Sequence, residues 1–246
     1  MRILRYLGFL ILGILAALIL AWFIFDEKEP VGTKGPEAEA LADAVMEAVN
    51  SKAWDSVPII QWTFRQSRSF QWDKMAHQCI VQWDENRVLL DINDQDGLAF
   101  VSEQKLAGKE ARDLIRTAWD LFNNDSFWLN AVVKVKDPGT VRSLVQLEDG
   151  SSALLVHYTS GGSTPGDKYL WILDESNKPK ACKMWVEILP LGGIEFTWED
   201  WITLPGGAVV ATNHKMMGME LDISNIQVAQ HWSELGYSEN PLQEIP

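Results

Sequence analysis

Cysteine and histidine are the scarcest chemistry-bearing residues in this chain of 246, with two cysteines, Cys79 and Cys182, and four histidines, His77, His157, His214 and His231. No two histidines stand at the H-x-x-x-H spacing that puts two imidazoles on one helix face, so no metal is expected. Positive charge is also short: 21 Lys and Arg face 34 Asp and Glu, for a formal net charge of −13. An acidic body repels phosphate backbones, which argues against nucleic acid as a partner. The glycine-rich stretch TSGGSTPGD has no lysine at P-loop spacing and precedes a strand pattern instead of a helix, so it does not read as a phosphate cradle. No G-x-S-x-G nucleophile elbow occurs either. No cofactor is expected.

Tryptophan, by contrast, is abundant at 12 residues, and apolar residues make up 47% of the chain. The longest apolar run covers residues 6–25, which hold 20 positions without a charge. As a helix that length spans roughly 30 Å, the thickness of a bilayer's hydrocarbon core. Arg2 and Arg5 precede the run, and Asp26, Glu27 and Glu29 follow it. The positive-inside rule then keeps the N-terminus in the cytoplasm. The expectation is a signal-anchor transmembrane helix with its short cytoplasmic end over 1–25, a polar linker over 26–36, and a single envelope-side domain over 37–246. That places the protein as single-pass in the inner, cytoplasmic membrane, with its C-terminal domain periplasmic or extracellular. A cleaved signal peptide is the alternative, but the run ends AWFIFDE, which offers no small-x-small cleavage site.

Beyond the linker the pattern alternates between two periods. Pro36, with Glu37 and Glu39 in the first turn, opens a helix to about residue 51 whose apolar stripe is Leu41, Val45, Ala48 and Val49. From Ile59 the period becomes 2, giving strands near 59–64, 75–83 and 88–92. A second helix follows near 109–122, and Asn123 and Asn124 suit its C-terminal end. Seven further strands are expected near 141–147, 153–159, 168–174, 181–189, 194–204, 208–215 and 220–227, joined by turns such as Glu148-Asp149-Gly150 and Pro205-Gly206-Gly207. The fold class is therefore α+β: an N-terminal transmembrane helix, then one curved, unclosed, antiparallel β-barrel-like sheet with two packed helices.

This element order, a helix, a meander, a helical insertion and a longer meander, resembles the unclosed-barrel fold of the lipoprotein carrier and receptor family of the Gram-negative envelope, LolA and LolB. The stretches NNDSFWL, YTSGGSTPGDKYLW and MWVEILPLGGIEFTWEDW are also similar to an uncharacterised family of bacterial membrane-anchored proteins. The first resemblance implies a concave sheet that holds acyl chains beneath covering helices.

The functional expectation follows the aromatics. Trp62, Phe64, Trp83, Trp171, Trp185, Phe196 and Trp198 fall on strands, and Phe127 and Trp128 in a connection. Turned inward, these rings would line an apolar cavity for a lipid or another hydrophobic ligand; filling the core, or stacking sugars from the outer face, are the other readings. His157, Ser160, Thr164 and Asp167 would form the rim loop. His157, Ser160 and Asp167 are also the residue types of a nucleophilic triad, which keeps a hydrolase acting on an envelope substrate as an alternative. A structural or glycan-binding module is the third reading. Cys79 and Cys182 both read as inward-facing, either as a disulfide between an early and a late strand or as two separate thiols. The expected partners are the membrane and a hydrophobic small molecule; no protein partner is legible.

Overall fold

The computed structural model describes residues 26–160 and 165–245, together with Tyr6 and Gly13. Four of its hairpins share a simple device. At the ends of β2 (Arg68–Asp73) and β4 (Asn86–Asp91), the last aspartate turns its carboxylate onto the backbone N–H groups of the following turn. Asp73 Oδ1 accepts from Met75 and Ala76, and Asp91 Oδ1 accepts from Asn93 and Asp94. Asp149 does the same for Ser151 after β7 (Thr140–Gln146), and Asp174 for Ser176 and Lys178 after β9 (Lys168–Leu173). A short acidic side chain that satisfies the turn amides lets the chain reverse without losing backbone hydrogen bonds.

The remaining strands are β1 (Ile59–Phe64), β3 (Gln78–Trp83), β5 (Asp96–Val101), β6 (Gln104–Lys105), β8 (Ser152–Tyr158), β10 (Pro179–Trp185), β11 (Ile194–Thr197), β12 (Glu199–Thr203), β13 (Val209–Met216) and β14 (Met219–Ala229). They do not form one sheet. A nine-stranded sheet runs in the order β12-β13-β14-β1-β2-β3-β4-β5-β6, and a five-stranded sheet in the order β11-β10-β9-β8-β7. Every pairing between named strands is antiparallel. The fold is thus mostly β, two unclosed antiparallel sheets with helices, and this corrects the expected single α+β sheet.

The physical reason for the split is Trp198. The expected strand over 194–204 breaks there: the Trp198 amide still donates to Lys180 O of β10 at 2.9 Å, while Asp200 takes a positive φ of 53° and β12 turns away to pair with β13. The expected transmembrane helix over residues 6–25 lies outside the described residues apart from Tyr6 and Gly13. No helix among the described residues is long and apolar enough to cross a membrane, and that element does not enter the architecture.

Three helices pack on the sheets: α1 (Pro36–Ala48), α2 (Ser51–Asp55) and α3 (Gly108–Asn130). The first buries Ala38, Ala42 and Val45 and is tied to β7, where Arg142 Nε donates to Glu39 Oε1 at 2.7 Å. This ion pair holds the Glu39 carboxyl below its usual range. The helix α3 runs eight residues beyond the expected end at Phe122. Asn123 and Asn124 do not cap it, because Asp125 is fully buried and paired with Arg68 of β2, with Nε–Oδ2 at 2.5 Å and Nη2–Oδ1 at 3.1 Å. A tertiary ion pair overrides the local stop signal.

The stretch 26–36, expected as a linker, lies against the outer face of the five-stranded sheet. Glu27 pairs with Lys183 at 2.6 Å, Glu29 pairs with Lys168, and Thr33 exchanges two backbone hydrogen bonds with Leu144. A Cβ on Gly32 would sit 2.6 Å from Ser143 Cβ, so this close passage over β7 requires glycine.

Candidate functional site

Most of the expected cavity residues are inside, and they touch one another. Around Trp198, at the junction of the two sheets, Trp128 stacks at 5.6 Å between ring centroids, Trp171 meets it edge-on at 5.0 Å, and Phe127 meets it at 6.3 Å. Phe196 lies 4.7 Å from Trp128. Trp62 belongs to a second group under the nine-stranded sheet, with Phe70 at 4.8 Å, and with Trp72 and Phe122 beyond. Phe64 is buried with the Arg68 guanidinium 5.0 Å above its ring. Trp83 is partly buried against the same core. The interior is built of contacting rings that tie α3 to both sheets.

Trp185 is the exception among the nine. It packs on the outer face with Val145, Ala153, Leu155 and Leu170, and its indole N–H donates to Glu27 O at 2.7 Å. Strand alternation explains this: Cys182 and Met184 point inward, so Lys183 and Trp185 point out.

His214 of β13, which the sequence reading gave no role, sits at the centre of the first ring group. It is fully buried, 3.9 Å from the Trp198 ring and 5.3 Å from Trp128, and its Nε2 is 2.9 Å from the Trp128 carbonyl oxygen. Burial pushes its pKa down to about 4, outweighing the backbone groups of Thr197 and Trp128, which favour the proton. The imidazole is therefore neutral at pH 7. The Thr197 backbone lies near enough to favour the proton but outside hydrogen-bond geometry with Nδ1, and the buried Trp171 Nε1 and Asn130 Oδ1 likewise meet no partner in that geometry. A single histidine without a spaced partner carries no sequence signal. Only the tertiary packing reveals it.

The rim-loop residues are placed as follows. His157 stands next to last in β8 and is half-buried, Ser160 is exposed beside Gly139, and Thr164 lies outside the described residues. Asp167 is buried, accepts from the Tyr169 hydroxyl at 3.2 Å and from the Glu187 amide at 3.2 Å, and so holds the loop to the turn after β10. That carboxylate orients backbone and a phenol. Burial raises the pKa values of Tyr158 and Tyr169, which meet edge-on at 5.5 Å beneath the loop.

Cys79 and Cys182 are free and fully buried, on strands of different sheets, so the alternative of two separate thiols is the one seen. Burial pushes both thiols well above their ordinary pKa, which leaves them protonated and unreactive.

Two surface hollows lie away from the rings. One of about 590 Å³ is lined by Val101, Ser102, Gln104, Leu106, Glu110 and Leu114. Another of about 350 Å³ lies between Asp73 and the C-terminal segment with His231, Trp232 and Tyr237. Both are shallow, and neither is lined by the interior aromatic residues.

No family model matches the sequence, and no curated protein matches it. Among solved structures the chain is similar to the crystal structure of a DUF1329 family protein from Desulfovibrio piger, with a TM-score of 0.44 and 12% identity over 84% of this chain and 99% of that one. The LolA-like resemblance is not confirmed by this match.

Proposed function

We propose that the protein binds a hydrophobic ligand, of the acyl-chain type, between its two sheets and holds it away from water. The observation that carries this reading is the polar content of the aromatic interior. Trp171 Nε1, His214 Nδ1 and Asn130 Oδ1 are buried among packed rings without partners in hydrogen-bond geometry, as are Trp62 Nε1 and Trp72 Nε1 under the nine-stranded sheet. Each such group costs about 1–3 kcal/mol in an empty interior, and a ligand with one polar end would recover part of that cost. The architecture supports entry. The two sheets share no pairing between named strands, so they can part without breaking one. Phe127 and Trp128, on the C-terminal half of α3, are the rings that would move. Affinity would come from apolar area removed from water, at roughly 25 cal/mol per Å² before the costs of binding.

The test is titration of the delipidated full chain with a fluorescent fatty acid, followed by native mass spectrometry and organic extraction of the protein as purified. Saturable binding near one ligand per chain is expected. It should weaken at least tenfold in Trp128→Ala and stay unchanged in Trp185→Leu, since Trp185 faces outward. An empty, folded protein that ignores the probe would sink the proposal and leave the rings as ordinary core.

A further inference from the structure

Three of the chain's seven methionines fall within four positions, Met216-Met217-Gly218-Met219, at the tip of the β13–β14 hairpin. Met216 and Met219 stand directly opposite each other across the two strands, and Met217 and Gly218 turn the chain with φ values of 44° and 86°. Two positive φ values are what a two-residue hairpin turn demands, and Asn, Asp and Gly meet that demand at least cost. Met217 is the one apolar side chain among the described non-glycine residues with positive φ. A long thioether held there against local preference points to a use for the side chain itself. Met217 is 89% exposed and Met219 45% exposed, while Met216 is partly buried at the edge of the core, which steadies one side of the tip. Directly opposed residues have Cβ atoms about 4.5–5.5 Å apart. Two further bonds carry each sulfur beyond its Cβ, so the Met216 and Met219 thioethers can meet on one ion without movement of the backbone, and Met217 stands next to them.

We propose that this hairpin tip binds a soft monovalent cation, copper(I) or its analogue silver(I), through the thioether sulfurs of Met216, Met217 and Met219. The donor class selects the ion: thioethers are neutral and polarizable, they suit copper(I), and hard divalent cations prefer oxygen. The spaced imidazoles that the sequence lacks belong to a different kind of metal site. Charge at the base of the hairpin favours a cation, since Glu199, Asp200 and Glu220 gather there around Lys215 and Asn213, three acids against one lysine. Neither cysteine competes in the folded chain, because Cys79 and Cys182 are both 0% exposed. His214 precedes Met216 by two residues but is fully buried with its Nε2 on the Trp128 carbonyl oxygen, so it is not a ligand. Binding transfers no electron and no proton; the ion exchanges its solvent ligands for sulfur. The site requires nothing of the ring-lined interior, so either proposal can fail alone.

The experiment labels the methionine methyl groups of the full chain with carbon-13, titrates it with silver(I) and follows the methyl signals by NMR; copper(I) affinity is then measured by competition with bicinchoninate. Met75, 75% exposed and the one methionine on the β2–β3 turn, is the internal control for ordinary thioether binding. The expected result is saturation near one ion per chain, with the methyl signals of Met216, Met217 and Met219 shifting together and that of Met75 unmoved. Met217→Leu and Met219→Leu keep the side-chain volume and remove one ligand each, so each should weaken binding about tenfold or more, while unchanged signals from Met46 and Met184 report an intact fold. A Met75 signal that shifts at the same silver concentration as the tip would overturn the proposal. So would a Met217→Leu/Met219→Leu double variant that binds as tightly as the parent, or silver uptake that consumes the Cys79 and Cys182 thiols and leaves the tip signals in place.

Discussion

The two sheets are covered on their outer faces by opposite ends of the chain, and by different forces. Over the nine-stranded sheet the C-terminal segment lays down Trp232 and Leu242, 8% and 1% exposed, on Ile59, Ile80, Leu89 and Phe100. Over the five-stranded sheet the N-terminal strap makes backbone bridges and ion pairs, with Glu27 on Lys183, Glu29 on Lys168 and Thr33 on Leu144. Apolar burial is not screened by salt and fails only when the contact is emptied; exposed ion pairs are weak and screened. The C-terminal cover is thus part of the fold, and the N-terminal strap is the part that can be loosened without unfolding the rest.

The largest effect should come from emptying the C-terminal cover. Trp232→Ala and Leu242→Ala each remove a buried side chain from a packed face, which costs about 3–5 kcal/mol for the first and about 2–5 kcal/mol for the second. Urea unfolding should show a lowered midpoint for both, unchanged by salt. A loss below about 1 kcal/mol would mean that the segment is only draped on the sheet, and the contrast with the strap would disappear.

Acid should strike between the two covers, at the junction of the sheets. His214 is buried neutral with a pKa of about 4, below the ordinary 6.5. As pH falls from 6.5, the unfolded chain binds this proton before the folded one does. The stability that rests on a neutral His214 is therefore intact above pH 6.5 and is lost progressively down to about pH 4. The depression corresponds to about 2–3 kcal/mol at pH 4.5, at order-of-magnitude precision. His214→Phe should cost stability at pH 7, because the Trp128 carbonyl loses its contact, but it should flatten the pH dependence by that amount. Equal slopes for parent and variant between pH 4.5 and 7 would refute the buried neutral imidazole. Carboxylates elsewhere titrate in both proteins and cancel in the comparison.

How much of this was legible in the sequence divides along the same lines. Period-2 alternation at Ile60, Trp62 and Phe64 gave the inward face of β1 correctly, and the Pro36 start with its Ala and Val stripe gave α1 to within a few residues. Of the aspartate-led hairpins, those near Asp149 and Asp174 were readable because their chemistry is local, while those at Asp73 and Asp91 were missed together with the strands β2 and β5 that they join. The strand β2, RSFQWD, was missed although Phe70 and Trp72 alternate with Ser69, Gln71 and Asp73, because the run is short and its first inward position is Arg68, whose buried partner Asp125 is distant in sequence. Phe127 and Trp128 read as a connection because Asn123 and Asn124 look like a helix stop; the partner that overrules them, Arg68, is 57 positions away from Asp125. Trp185 was assigned inward although the alternation with Cys182 and Met184 already pointed it out. The strap is the least readable element. DEKEPVGTKG has no periodicity, and the lysines that hold it lie well over a hundred residues downstream.

The smallest effects belong to the strap, and they decide whether the contrast between the two covers is real. Glu27→Gln and Glu29→Gln each break an ion pair in which the carboxylate is nearly half exposed, so each should cost less than about 1 kcal/mol. That cost should vanish in roughly 1 M salt, where the screening length falls to about 3 Å. Gly193→Ala attacks the same contact sterically. Gly193 holds a φ of +74°, and an added Cβ would sit 2.4 Å from Glu27 Cβ, so the strap must lift or the turn must shift. Its loss, about 1 kcal/mol or slightly more, should persist at high salt and be accompanied by faster proteolysis within residues 26–33, with the midpoint of the remaining domain little changed. If Glu27→Gln instead costs as much in high salt as in low, the strap is held mainly by its backbone and by the Trp185 indole bond to Glu27 O. Both covers would then be equally permanent.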